Sequence, residues 1–290
     1  KNRFFSSERS ELSVNHSKSS AVLRHILLLI GVGFIILPLY MTIITAFKTP
    51  AENMASFFAF PQSFNLENFK GVLEGGGYFR AFFNTVYITA LVILGNMAIM
   101  PAMSYAISRS MDTSRIYRIV YYFLLLGIFI PFEVKMMPLV KLMSWLHLLH
   151  PTGLVILCIS SSTCEAVFLY VGFLYSIPKE MEEAAYIDGA TTLQTYTKVV
   201  FPLLKPMMAT VLIRNGLWIW NDFMLPLVTL NRSDKFWTLT LFQYNFRTEY
   251  SVDYSRTFAA FCMSMLPILV FYVFMQKNII GGLTSGAVKS

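Results

Sequence analysis

Three ionisable residues stand inside long apolar runs of this 290-residue chain: Glu165, Arg214 and Asp222. A charge in hydrocarbon is costly, so such residues either line a polar pathway or bond to a neighbouring helix. Arg214 and Asp222 are eight residues apart, which in a helix places them near one face. Trp218, Asn221 and Asp222 add a stacking surface and hydrogen-bonding groups, the two features that sugar recognition uses. One reading is a translocation cavity lined by Glu165, Arg214, Trp218, Asn221 and Asp222. The other is structural bonding to adjacent helices or a partner subunit, and residue type leaves both open. Hydrolytic chemistry is not indicated. The chain has no Gly-x-x-x-x-Gly-Lys-Ser/Thr phosphate loop, and Gly75, Gly76 and Gly77 precede neither a lysine nor a helix signal, so they read as a flexible loop. His147 and His150, beside Trp145, are fewer ligands than a metal site needs. Cys158, Cys164 and Cys262 lie in apolar runs and read as small core residues. The expectation is a chain with no catalytic residue, no metal and no cofactor of its own.

The elements that must position these groups are membrane spans. Hydrophobic residues make up 56% of the chain and charged ones 13%, with mean hydropathy +0.57, which leaves too little polar surface for a soluble globule. The apolar runs predict an all-α polytopic membrane protein with six transmembrane helices, at about 21–47, 80–108, 119–137, 152–175, 207–230 and 257–275. Residues 1–20 form a polar, Ser-rich arm, 21–278 the transmembrane domain and 279–290 a tail. The first run is too long for a signal-peptide core, lacks a small-residue cleavage site, and is expected to kink at Pro38. Net charge is +7, which in a membrane protein reflects cytoplasmic loops rather than affinity for nucleic acid. Arg109, Arg115 and Arg118 mark the turn after the second span as cytoplasmic. With an even number of spans, both termini then lie in the cytoplasm, and 48–78 and 231–256 are external loops.

Between the fourth and fifth spans lies a polar, regularly patterned stretch, IPKEMEEAAYIDGATTLQTYTKVVFPLLKP, at 177–206. Pro178 suits the first position of a helix, and Glu180, Glu182 and Glu183 favour the positive end of its dipole. Gly189 stands where a left-handed cap stops that helix, making 178–188 about 16 Å long at roughly 1.5 Å per residue. Met181, Ala184 and Ala185 share one shallow face. A second short helix is expected from Thr192, with Leu193, Tyr196, Val199 and Val200 on one side, until Pro202 interrupts it.

Glu183-Ala184-Ala185, three residues, Gly189, nine residues, then Val199-Val200-Phe201-Pro202 resembles the EAA loop of permease subunits of ABC importers. Val199 and Phe201 replace the family's usual Ile and Leu. Ile177-Pro178-Lys179-Glu180, Ile187-Asp188-Gly189-Ala190, Trp220-Asn221-Asp222-Phe223 and the Gly-rich tail at 281–289 sharpen the match toward the carbohydrate branch of maltose-transporter type, from about Val22 onward. The resemblance implies a subunit of the bacterial cytoplasmic (inner) membrane that imports sugars or oligosaccharides by alternating access. Loop 176–206 would be a cytoplasmic coupling-helix loop docking on an ATPase dimer through Glu183, Ala184, Ala185, Asp188, Gly189 and Pro202. ATP and Mg would sit on that ATPase, a second homologous permease would complete the pore, and an extracytoplasmic solute-binding protein would deliver the sugar. Gln243, Tyr244, Asn245, Phe246 and Arg247 are expected to meet the binding protein, since aromatic residues and arginine favour interfaces, although anchoring at the membrane edge also suits them. The alternative is an ion-gradient-driven secondary transporter with Glu165, Arg214 and Asp222 as a relay; no inverted repeat or paired broken helices support it.

Overall fold

The computed structural model describes residues 18–244 and 253–287, and all of the secondary structure described there is helical. Helix α1 (Lys18–Phe47) is followed by two short helices, α2 (Pro50–Ala55) and α3 (Glu67–Glu74), inside what composition alone reads as loop. Thr49 and Glu52 start α2 with a capping box, each side chain accepting from the other's backbone N–H. Helix α4 (Tyr78–Ser110) begins at Gly77, whose φ of 89° makes the glycine cluster a formed turn instead of the expected flexible loop. Then come α5 (Arg115–Ile128), α6 (Phe132–Trp145) and α7 (Pro151–Leu174). The stretch between spans contributes α8 (Glu180–Ile187), α9 (Thr192–Thr195), a π-helical turn (Tyr196–Val200) and α10 (Phe201–Leu203). Last are α11 (Lys205–Asn221), α12 (Met224–Leu230), α13 (Leu239–Tyr244) and α14 (Tyr254–Ala287).

Among the described residues, four helical stretches are long and apolar enough to cross a membrane: Leu23–Phe47, Tyr78–Ser110, Pro151–Leu174 and Tyr254–Phe274. Two bent pairs bring the number to six if each is one span. The expected third span, 119–137, is not one helix: α5 ends at Ile128 and α6 leaves at 109°. Pro131 lacks an N–H and steers Ile130 out of the helical region, so the turn ladder stops there and restarts at Phe132. The expected fifth span, 207–230, is broken too. Asp222 adopts an extended ψ of 127°, and its Oδ1 accepts from the backbone N–H groups of Met224 and Leu225, opening α12 as a separate helix.

The interior is built along α4, α7 and α11. Met100, Tyr105, Tyr170, Leu174, Val200 and Leu204 form a core at the end where loop 176–206 lies. Val92, Leu154, Leu157, Ile219, Leu225 and Leu241 form a second toward the opposite end. A third joins α1, α3, α4, α13 and α14 through Ala46, Val72, Ala81, Leu239 and Ala259. Outward faces are apolar: Leu29, Phe34 and Ile35 on α1 and Ile116, Ile119 and Phe123 on α5 are exposed, and α5 buries no residue. That inversion suits a chain solvated by lipid or covered by a partner.

Candidate functional site

Loop 176–206 is two helical arms held by complementary caps. The first arm, α8, starts two residues later than Pro178 predicts and ends at Ile187, with Asp188 as its C-cap. Gly189 has φ +83°; its N–H donates to the Tyr186 carbonyl at 3.0 Å, and that of Ala190 to the Ala185 carbonyl at 2.9 Å. This is a Schellman stop, in which the left-handed residue lies four positions beyond the carbonyl that receives the outer bond. The spacing from Ala185 to Gly189 therefore has a direct geometric cause. The second arm begins with a capping box: Thr191 Oγ1 accepts from the Gln194 N–H at 3.3 Å, and Gln194 Oε1 from the Thr191 N–H at 2.8 Å. Pro202 does not end this arm. It lies within α10, after a wide π turn in which the Phe201 N–H reaches the Tyr196 carbonyl. In a regular helix the proline ring would crowd the Lys198 carbonyl, and the wide turn relieves that crowding. The bend comes at Leu204, 69° before α11.

Val200 and Leu204 pack the second arm into the core, and what ties the first arm to α4 is Glu182, a residue that the sequence alone did not single out from its acidic neighbours. Its carboxylate is buried, with Oε1 accepting from Arg109 Nε at 2.8 Å, Arg109 Nη2 2.6 Å away, and Oε2 accepting from the Tyr105 hydroxyl at 2.8 Å. The Tyr105 ring also packs on Tyr196, centroids 5.3 Å apart, so one side chain of α4 touches both arms. Glu183, Ala184, Asp188 and Gly189 are exposed, and Ala185 is half-buried. Met181, Tyr186, Ile187 and Leu193 present apolar surface beside them, Ile187 at 86% exposure. Between this loop and α4 opens a cavity of about 530 Å³ lined by Tyr105, Arg109, Tyr117, Lys179, Glu182 and Glu183.

The polar residues inside the spans separate into two roles. Glu165 of α7 and Arg214 of α11 form an ion pair in which both side chains remain about half exposed. Asp222 does not join Arg214. It caps α12, and its carbonyl accepts from Thr240 Oγ1 at 2.7 Å. Asn221 donates to the Leu217 carbonyl of its own helix and lines a cavity of about 310 Å³ with Thr42, Trp220, Thr240, Gln243 and Ser264. Trp220, not Trp218, lines that cavity; its indole N–H reaches the Ser264 carbonyl at 3.3 Å. Trp218 is 40% exposed. Gln243 is buried, its amide bonded to the Ala260 carbonyl and the Ser264 hydroxyl. Tyr244 is exposed beside Phe223. Asn245, Phe246 and Arg247 lie outside the described residues.

Residues 102–279 match the family described as "Binding-protein-dependent transport system inner membrane component". The chain belongs to this family. As such an inner membrane component, it is 45% identical over 269 residues to the multiple sugar-binding transport system permease protein MsmG of Streptococcus mutans, covering 92% of this chain and 96% of that one. It is 33% identical over 260 residues to the melibiose/raffinose/stachyose import permease protein MelC of Bacillus subtilis, covering 87% and 91%. In fold it is similar to a chain in the crystal structure of a bacterial ABC transporter involved in import of the acidic polysaccharide alginate. That TM-score is 0.78 at 21% identity, over 91% of this chain and 97% of that one. In this chain the acidic and apolar face of α8 is exposed, and the Glu165–Arg214 pair in the spans is half exposed.

Proposed function

We propose that this chain is one half of the translocation pathway of an ATP-driven importer of sugars or oligosaccharides. Loop 176–206 faces the cytoplasm and docks on a separate ATPase dimer, which holds ATP and Mg. Closure of that dimer moves the loop and reorients the spans about a central cavity. A second, homologous permease completes the pore, an extracytoplasmic solute-binding protein delivers the sugar, and both termini are cytoplasmic. The observation that carries this reading is the division of labour in α8: Glu182 turns inward to α4 while Glu183 and Ile187 stay exposed for a partner. Glu183 offers an exposed carboxylate to a cationic side chain of the ATPase, and exposed apolar neighbours give that contact a hydrophobic centre. The sugar class is supported by two relatives, the multiple sugar-binding transport permease MsmG and the melibiose/raffinose/stachyose import permease MelC.

The test is gentle purification from the native membrane, with a Glu183→Lys form in parallel, followed by uptake of radiolabelled raffinose, melibiose and maltotriose into proteoliposomes. The expected result is co-purification with an ATPase and a second permease, weakened by the charge reversal, and uptake that requires ATP. Uptake sustained by an ion gradient after nucleotide depletion would replace this reading with a secondary transporter.

A further inference from the structure

We propose that Glu182 is the residue through which movement of the coupling helix reaches the spans, with Arg109 and Tyr105 of α4 as its receiving arm. The inference rests on the reading of loop 176–206 as the ATPase-facing loop, and it assigns the transmitting contact within this chain. Helix α8 buries one residue, and that residue is Glu182. The other ion pair near α8, Lys179 with Asp112 at 3.9 Å, has both side chains more than half exposed, a kind of pair that contributes little. Met181 and Ile187 are exposed, and Tyr186, which is also exposed, adds a hydroxyl contact to Tyr105 beside the Glu182 carboxylate. A force applied to the exposed face of α8 therefore reaches α4 through a buried carboxylate gripped by two donors, while the second arm rests on the core through Val200 and Leu204. Apolar contacts can slide. A charge-assisted pair with a second hydrogen bond on its other oxygen fixes direction as well as distance, and breaking it would strand a buried charge.

The receiving helix has the reach to matter. Helix α4 is 33 residues long, about 50 Å at roughly 1.5 Å per residue. At its far end, Asn84 Nδ2 donates to the carbonyls of Lys235 and Trp237 at 2.9 and 3.0 Å, and Thr85 Oγ1 accepts from the Leu239 N–H at 2.9 Å. Arg80 pairs with Asp234 at 3.3 Å. One continuous helix thus carries, at one end, the grip on the coupling helix and, at the other, three side chains holding segment 234–239. Movement of α8 tilts or slides α4, and α4 carries segment 234–239 with it. Glu182, Arg109 and Tyr105 act as positioning residues.

The experiment uses the complete complex in proteoliposomes and reads sugar carried per ATP hydrolysed, with whichever of raffinose, melibiose and maltotriose the native complex takes up. Glu182→Gln keeps the size of the side chain and removes its charge. The ratio is expected to fall about 5–150-fold, the range of ordinary coupling factors, with native subunit stoichiometry in the purified complex. Asn84→Ala, at the other end of α4, should lower the same ratio. A purely structural role would lower the yield of complex and leave sugar per ATP unchanged, and that result overturns the proposal. Where Glu182→Gln does not assemble, Tyr105→Phe and Arg109→Lys, each removing one contact, are read the same way; a native ratio in both also overturns it. A native complex that takes up none of the three sugars with ATP would instead count against the transport reading itself.

Discussion

Replacing Gly189 tests whether the shape of loop 176–206, and not merely its chemistry, sustains coupling. Gly189 sits at φ +83°, and an added Cβ would meet no atom within 4 Å. Steric clash with neighbours is therefore absent, and the whole cost is intrinsic backbone strain. For an L-residue in the left-handed region that strain is about 1–2 kcal/mol. Restricting the unfolded chain returns about 0.4–1 kcal/mol of it when glycine becomes alanine. Gly189→Ala should thus disfavour the Schellman stop by roughly 1 kcal/mol, near a fivefold shift toward opened loops. Asparagine tolerates this conformation better, so Gly189→Asn should fall between glycine and alanine. Amide hydrogen exchange reads the effect at two positions, the N–H of residue 189 to Tyr186 and that of Ala190 to Ala185. ATP-dependent uptake should fall in the same order, glycine above asparagine above alanine. If alanine exchanges as slowly as glycine, or asparagine is no better than alanine, the left-handed stop does not set the loop's shape and the argument fails.

Two further predictions draw on other parts of the chain. Glu165→Gln leaves Arg214 unpaired within the spans and should impair uptake, whereas Glu165→Gln with Arg214→Gln should recover part of it; equal loss in the double form would show that each charge acts alone, as a proton relay requires. Backbone N–H groups of Thr49 and Gln62 and the Thr49 hydroxyl hold the Glu52 carboxyl below its usual range, so the charged form is favoured in the folded chain. The link from Glu52 to Thr49 and Gln62 is then fully present above the unfolded carboxyl pKa and is lost as pH falls through the depressed folded value. Protection of the Thr49 and Gln62 amides, measured relative to their intrinsic exchange rates, should fall on acidification, and Glu52→Gln should abolish that loss of protection with pH.

Much of this architecture is legible in sequence because lipid simplifies the rules. Every backbone group must be satisfied within its own helix, so apolar length alone locates Leu23–Phe47, Tyr78–Ser110 and Pro151–Leu174 to within a few residues of expectation. The same rule hides the breaks. Averaged hydropathy carries the apolar runs past Ile130-Pro131-Phe132 and past Asp222, where the decisive events are a missing N–H and a side-chain cap. The stop at Gly189 was legible because only its left-handed φ, not its surroundings, determines the residue there. Glu182 was not, because periodicity within α8 does not reveal which of three adjacent acidic residues meets an arginine 73 positions earlier. The available signal was indirect: Arg109 and Tyr105 are four residues apart at the end of a long apolar helix, a donor pair on one face that requires a carboxylate. The motif glutamate is then better understood by contrast. In the proposed docking, Glu183 is available to a partner because Glu182 already supplies the anion at the end of α4, and exchanging their roles would leave the partly buried Arg109 without its counter-ion.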